Sequence, residues 1–194
     1  MRIGSAYTAS VVVLFCVAVG IAGYVAYRTF TPVSRPKEPP MPMIGKFTAV
    51  SPPLPAPALA FTGRDGAERR LADFAGHWVL VNLWATWCAP CIKEMPSLDR
   101  MQAKLGPSLD VLAISEDRNG TKAVDPFLAA HAVKSLAIGL DPTGKIASAL
   151  HVEGLPTSLL IDPHGLLVAK LEGAAEWDEG PTLATLREFI GGMQ

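Results

Sequence analysis

The chain has 194 residues, with 17 basic and 18 acidic side chains and a formal net charge of −1. This length suits one domain plus an appendage. The near-neutral charge balance gives no electrostatic reason to expect nucleic acid as a partner.

An uncharged, mostly apolar stretch covers residues 6–26. About twenty such residues are what a helix needs to cross the hydrocarbon core of a bilayer, so residues 1–30 are predicted to be a transmembrane anchor. A cleaved signal peptide is the alternative, although this apolar core exceeds the usual signal length of about 7–15 residues. The charges at Arg2 and Arg28 flank both ends and do not decide the orientation.

Prolines accumulate in residues 31–57. Such a stretch stays extended and semi-rigid rather than packing into a core. Residues 31–57 are therefore predicted to be a linker that holds residues 58–194 away from the bilayer, with a disordered linker as the alternative.

Short apolar runs alternate with helical patterns through residues 58–194, which favours an α/β sheet. The predicted strands cover residues 58–61, 79–84, 110–115, 136–140, 158–161 and 166–171. The predicted helices cover residues 90–105, 124–132, 145–150 and 181–190. A Pro-containing turn that ends at Gly165 predicts that the last two strands form an antiparallel hairpin.

Two cysteines separated by two residues, Cys88 and Cys91, follow a predicted strand and open the first predicted helix. This spacing lets them close a small disulfide and open it again, which is the chemistry of thiol–disulfide exchange. The start of a helix favours a thiolate, so Cys88 is the predicted nucleophile. Cys91 lies one turn into the helix and is the predicted resolving thiol.

A structural zinc site is the alternative interpretation of the two cysteines, and it needs two further ligands. The remaining cysteine, Cys16, lies in the predicted anchor, and the four histidines form no close pair. The sequence therefore predicts no metal site and no cofactor.

From about residue 59 onward the chain resembles the thioredoxin fold. More narrowly, it resembles the TlpA group of membrane-anchored bacterial thiol–disulfide reductases, to which ResA and CcmG are related. Residues 81–99, VNLWATWCAPCIKEMPSLD, are similar to the group's active-site signature, and residues 154–162, GLPTSLLID, to its cis-proline loop. The resemblance implies a thioredoxin fold with an N-terminal extension and a central strand–helix insert at residues 117–150.

The resemblance also implies a substrate-binding surface around Pro156, the expected cis-proline, which exposes the preceding backbone for pairing with a substrate peptide. The residues predicted to bind the substrate are Trp87, Ala89, Pro90, Leu155 and Thr157. Trp84 is predicted to be packed, and Trp177 lies in GAAEWDE, a segment similar to one in the TlpA group to which the sequence assigns no role.

Cys91 needs a proton acceptor before it can act. In cytosolic thioredoxins a buried Asp aligns with Asn82, which cannot take a proton. Glu94 is the predicted substitute because it lies three residues after Cys91 and shares its helix face, with a surface carboxylate as the alternative interpretation. Glu153, which precedes the cis-proline loop, is the second candidate, and solvent is the third.

The resemblance to the TlpA group implies a single-pass inner-membrane oxidoreductase whose thioredoxin-like domain lies in the periplasm. No histidine separates Cys88 from Cys91, as one does in strong oxidants of this fold, so the reducing direction is favoured. The resemblance also implies the partners: disulfides of proteins that assemble copper sites in respiratory oxidases, and a transmembrane electron donor resembling DsbD or CcdA. Reduction of apocytochrome c is the alternative, followed by copper(I) binding through the two thiolates.

Overall fold

An eight-stranded mixed sheet organises the part of the chain described by the computed structural model, residues 47–192. Its strands are β1 (Thr48–Pro55), β2 (Ala60–Gly63), β3 (Glu68–Arg70), β4 (Val79–Trp84), β5 (Asp110–Ser115), β6 (Ala137–Leu140), β7 (Thr157–Ile161) and β8 (Leu166–Glu172). The α-helices in this range are α1 (Ala89–Leu105), α2 (Thr121–Ala130), α3 (Lys145–Ala149) and α4 (Gly180–Gly191). Short 3-10 helices lie at Leu71–Phe74 and Gly106–Ser108.

The strands are ordered β1-β8-β7-β4-β5-β6-β2-β3 across the sheet. β4, β5 and β6 run parallel, whereas β7 pairs antiparallel with both β4 and β8. The predicted thioredoxin-like α/β fold is confirmed, and α2 and β6 occupy the predicted insert. The predicted hairpin is also confirmed, with Gly165 in the left-handed region at φ 78° in its turn.

Strand β4 lies at the centre of the sheet, and all six of its residues are buried. Because side chains alternate between the two faces of a strand, Leu80 and Trp84 pack into the core that contains α1 and α4. Val81 packs into the opposite core with Ile146 of α3. The same alternation places Asn82 on the α1 face, where it meets the functional site.

The predicted linker extends too far towards the C-terminus. Residues 48–55 of the predicted linker form β1, an edge strand that pairs antiparallel with β8. The register shifts between Ala49 and Leu54, and Pro52 and Pro53 fall inside this irregular part. Edge strands tolerate proline at such places because the missing N–H breaks no regular ladder. The sequence analysis also omitted β3, whose three residues are polar and exposed.

The predicted anchor, residues 1–30, and most of the predicted linker lie outside the described residues. Within residues 47–192, none of the helices combines the length and the apolar character needed to cross a bilayer.

Candidate active site

Cys88 and Cys91 form a disulfide at the N-terminus of α1. Cys88 is the N-cap residue, and its sulfur accepts a hydrogen bond from the backbone N–H of Cys91 at 3.3 Å. Cys88 is 6% exposed, whereas Cys91 is completely buried. Cys88 is thus the more accessible sulfur, and a backbone donor and a helix terminus stand ready to stabilise its thiolate when the disulfide opens.

The carboxylate of Asp117, just after β5, anchors the loop that leads into Cys88. Asp117 follows β5 and accepts hydrogen bonds from the backbone N–H of Thr86 at 2.8 Å and from its hydroxyl at 2.6 Å. The hydroxyl of Ser115 also donates to Asp117, at 2.8 Å. The sequence analysis missed this anchor because its parts lie about 30 residues apart and form no motif.

The surface next to the disulfide contains the predicted docking residues. Trp87 is 68% exposed, and Ala89 and Pro90 are exposed as well, whereas Trp84 is completely buried. These positions agree with the predicted division between an exposed and a packed tryptophan. Their contact with substrate stays a prediction.

The expected cis-proline loop lies at the same end of the sheet as the disulfide, because Leu83 near the end of β4 pairs with Thr157 at the start of β7. The peptide bond between Leu155 and Pro156 is cis, as the resemblance implied. Leu155 is partly buried and packs against the core cluster that contains both cysteines.

Thr157 and Glu153 fit their predicted roles less well. Thr157 is 1% exposed, and its hydroxyl donates to the carbonyl oxygen of Gly154 at 2.7 Å. Its side chain therefore holds the loop rather than offering a contact to a substrate. Glu153 is exposed to solvent at the edge of the loop, which does not favour it as the proton acceptor of a buried thiol.

Glu94 is 2% exposed, so its interpretation as a surface carboxylate is wrong. One oxygen, Oε1, accepts a hydrogen bond from Nδ2 of Asn82 at 2.9 Å. The other, Oε2, accepts from the backbone N–H of Ala175 at 2.9 Å and from the indole N–H of Trp177 at 3.0 Å. The structure thus brings together three residues that the sequence analysis treated separately: Asn82, Glu94 and Trp177.

Burial raises the pKa of Glu94 above its ordinary value, and the three hydrogen bonds partly offset this rise. Glu94 follows Cys91 by three positions on α1, so the two side chains lie on the same helix face. A buried carboxyl group with a raised pKa on the face of a buried thiol is suited to exchange a proton with that thiol.

Residues 174–178, which we call the Trp177 segment, are fastened to α1. Besides the contacts with Glu94, the backbone N–H of Trp177 donates to the hydroxyl of Ser97 at 3.3 Å. Further along the helix, Arg100 donates two hydrogen bonds to the carboxylate of Asp178, at 2.8 and 3.2 Å. Lys104 donates to the backbone carbonyl and the carboxylate of Asp178.

Comparison with known proteins places this geometry in a family. A model of the AhpC/TSA family matches residues 53–170. The chain belongs to the AhpC/TSA family. The thiol-disulfide oxidoreductase ResA of Bacillus thuringiensis subsp. konkukian is 32% identical over 164 residues, which cover 84% of each protein.

Solved structures show the same relationship. A structure named as thiol:disulfide interchange protein DsbE, from Chlorobium tepidum, matches with a TM-score of 0.63 and 30% identity, over 73% of this chain and 97% of that chain. The exposed lipoprotein thioredoxin Etrx1 of Streptococcus pneumoniae matches with a TM-score of 0.56 and 30% identity, over 67% of this chain and 98% of that one. The predicted kinship with ResA and CcmG is confirmed, and this AhpC/TSA member is a thiol–disulfide oxidoreductase.

Metal binding is the alternative interpretation of the two cysteines. Within the described part of the chain, no group of three or more His, Cys, Asp and Glu side chains is placed to hold a metal ion. The expectation of no metal site stays a prediction.

The contact between Asp178 and α1 is expected to contribute to stability in a pH-dependent way. Arg100 and, less strongly, Lys104 lower the pKa of Asp178 from 3.8 to about 2. A lowered pKa stabilises the fold above about pH 4, and this contribution is lost as the pH falls towards about 2. Asp178→Asn is expected to lower the free energy of unfolding by about 1 kcal/mol at neutral pH. It is also expected to reduce the loss of stability as the pH falls from about 4 towards about 2. Urea denaturation at several pH values measures both effects.

Asp125→Asn is the control for this experiment. It removes the partner of Arg64 in an ion pair whose side chains are both about half exposed. The variant is expected to change the free energy of unfolding by less than about 0.5 kcal/mol. An equal loss of stability in both variants would show that the contact between Asp178 and α1 has no special role.

Proposed function

We propose that this oxidoreductase reduces disulfides of partner proteins in the periplasm, where residues 1–30 anchor it to the inner membrane. The observation that carries the proposal is the asymmetric disulfide at the start of α1, with Cys88 near the surface and Cys91 completely buried. An accessible sulfur suits attack on a large partner, and a buried neighbouring sulfur suits the step that releases it.

The reaction follows from these positions. The Cys88 thiolate attacks one sulfur of a partner disulfide, which forms a mixed disulfide and releases the other partner sulfur as a thiolate. Cys91 then loses its proton and attacks the sulfur of Cys88, which closes the Cys88–Cys91 disulfide and releases the second partner thiolate. The partner gains two electrons, and a dithiol donor must return two electrons to this protein before the next cycle.

The residues between the two cysteines support the reducing direction. A histidine at this place stabilises the thiolate and makes strong oxidants of this fold, whereas this chain has Ala89 and Pro90. A reductant in an oxidising compartment needs electrons from outside that compartment, so the proposal includes a transmembrane donor resembling DsbD or CcdA.

The proposed location is supported by the sequence and by one relative. Residues 6–26 have the length and apolar character of a membrane span. The similar protein Etrx1 is named an exposed lipoprotein, and an exposed protein lies outside the cytoplasm.

Two assembly processes supply candidate partners. The similarity of residues 93–96 and 154–158 to the TlpA group favours cysteine-containing proteins that build the copper site of a respiratory oxidase. The similarity to ResA and to DsbE, together with the resemblance to CcmG, keeps apocytochrome c as the second candidate. Both candidates require the same chemistry at Cys88, so the partner is distinguished by trapping rather than by activity alone.

The reduction potential of the Cys88–Cys91 pair tests the proposed direction. Equilibration of the full chain with dithiol buffers of known potential is expected to give a value near or below the roughly −200 to −270 mV of glutaredoxins and thioredoxin. A value near roughly −120 mV, as in a strong oxidant, would instead make disulfide formation the function.

A further inference from the structure

The Trp177 segment supplies two of the three hydrogen bonds that the Glu94 carboxylate accepts. The backbone N–H of Ala175 and the indole N–H of Trp177 both point at Oε2. The third donor, Nδ2 of Asn82, points at Oε1 and also donates to the hydroxyl oxygen of Ser158 at 2.9 Å. The two carboxylate oxygens therefore have different surroundings.

When Glu94 takes up a proton, this difference determines which of the two carboxyl oxygens carries it. Both partners of Oε2 are N–H donors, so Oε2 keeps its hydrogen bonds only if it remains an acceptor. A proton must then reside on Oε1, where it needs an acceptor in place of the amide nitrogen of Asn82. Within residues 47–192, Oδ1 of Asn82 is buried without a donor, and rotation of the side-chain amide would turn it towards Oε1.

Trp177 is held rigidly enough to fix its indole N–H. It is completely buried, its backbone N–H donates to Ser97, and its ring makes an edge contact with Phe47 at a centroid distance of 6.1 Å. The next residue, Asp178, is bound by two cationic side chains of α1, the helix that also carries Glu94. The donor and the acceptor are therefore fastened to the same helix.

Among the described surroundings of Glu94, the N–H hydrogen bonds are what favour its ionised form. Strand β4 presents the uncharged Asn82, whose amide also donates to the uncharged Ser158 of β7, and Cys91 lies three residues before Glu94 on the same face of α1. Glu176, in the Trp177 segment itself, acts on Glu94 through its negative charge and disfavours ionisation. Burial acts in the same direction, so the N–H donors are what favour the carboxylate.

We propose that Trp177 is a positioning residue: its indole N–H favours the ionised form of the Glu94 carboxylate and, when Glu94 takes up a proton, confines that proton to the oxygen that faces Asn82. The consequence for catalysis rests on the proposed role of Glu94 as the proton acceptor of Cys91. Trp177 acts on Cys91 through Glu94, to which its indole N–H donates.

The test compares two tryptophans that are both completely buried in the core. Trp177→Phe removes an indole N–H that donates to Glu94. Trp84→Phe removes an indole N–H that has no acceptor in the described part of the chain, so it is the matched control. Carboxyl carbon-13 NMR of the full chain, labelled at glutamate, follows the titration of Glu94. Trp177→Phe is expected to move the midpoint up by about one pH unit, and Trp84→Phe to leave it in place.

The same variants are then examined in the exchange reaction. The acid limb of the rate at which Cys91 resolves a mixed disulfide is expected to move with the Glu94 midpoint in Trp177→Phe. If Trp177→Phe does not fold, 3-benzothienylalanine at position 177 keeps the ring volume and deletes only the N–H group.

The outcomes separate this inference from the proposed function. An unchanged Glu94 midpoint in a folded Trp177 variant, or an equal shift in Trp84→Phe, would overturn the inference even if disulfide reduction continues. A shifted midpoint with an unshifted exchange profile would support the assignment of Trp177 and count against Glu94 as the proton acceptor.

Discussion

Replacement of Cys88 with serine is expected to lower the rate of disulfide exchange at least about a thousandfold, because a serine hydroxyl is not ionised near neutral pH. Cys91 cannot take over the attack, since it is completely buried. The measurement is the reaction of the reduced full chain with a chromogenic aromatic disulfide, followed by the release of the coloured thiolate. Rapid reaction of Cys88→Ser would contradict the assignment of the nucleophile.

Cys91→Ser is the matched variant, because it removes the other sulfur of the same pair. It is expected to attack at a rate close to that of the parent but to stop at the mixed disulfide. In cells this variant should therefore retain its partner covalently, and mass spectrometry of the adduct identifies it. Recovery of a copper-site assembly protein would support the first proposed partner, whereas recovery of apocytochrome c alone would replace it with the second.

The chemistry at Cys88 could be predicted from the sequence because its determinants are local. A buried strand, a Cys-X-X-Cys pair and a helix follow one another within residues 79–105, and the structure shows them in that order. The position of Pro156 beside this site was implied by resemblance rather than by any local pattern. The pairing of Leu83 with Thr157 now accounts for it.

The environment of Glu94 could not be predicted, because its partners are distant in the sequence. Asn82 precedes Glu94 by 12 positions, and Trp177 follows it by 83. Glu94 follows the charged Lys93 in the sequence, which is typical of a solvated position, and helical periodicity alone did not separate the two interpretations. The similarity of the Trp177 segment to one in the TlpA group was the available signal, but it carried no information about a hydrogen-bond partner.

The predicted start of the folded domain at residue 58 was wrong for a different physical reason. Prolines usually indicate an extended linker, yet β1 accommodates Pro52 and Pro53 at a register shift on the sheet edge. Composition describes a segment in isolation, whereas an edge strand forms because β8 offers it a partner.

Replacement of Glu94 with glutamine is expected to slow the resolving step about a hundredfold while leaving the fold as stable as before or more stable. The slower step follows from the loss of a proton acceptor on the face of Cys91. The amide oxygen of glutamine can keep the hydrogen bonds from Ala175 and Trp177, and its amide nitrogen can donate to Oδ1 of Asn82 after rotation. Rapid-quench trapping of the mixed disulfide, followed over time, measures the resolving rate.

The free energy of unfolding of Glu94→Gln is expected to rise relative to that of the parent as the pH increases. Burial raises the pKa of Glu94 in the folded state above the ordinary value of 4.5, so the folded protein binds this proton more tightly than the unfolded chain does. The resulting stabilisation is present below about pH 4.5 and is lost as the pH rises through the raised pKa. The stability of Glu94→Gln relative to the parent is therefore expected to increase between about pH 4 and about pH 8. Urea denaturation of the oxidised proteins at both pH values measures this change.

Glu176→Gln is the control for both measurements, because it removes the same charge from an exposed position in the Trp177 segment, where that charge is the weakest of the influences on the pKa of Glu94. It is expected to change the resolving rate by less than about twofold. Equal slowing in both variants would show that negative charge in this region, rather than proton transfer at Glu94, sets the rate. A slow Glu94→Gln variant that keeps its stability would show that the buried carboxylate is retained for the reaction of Cys91 and not for the fold.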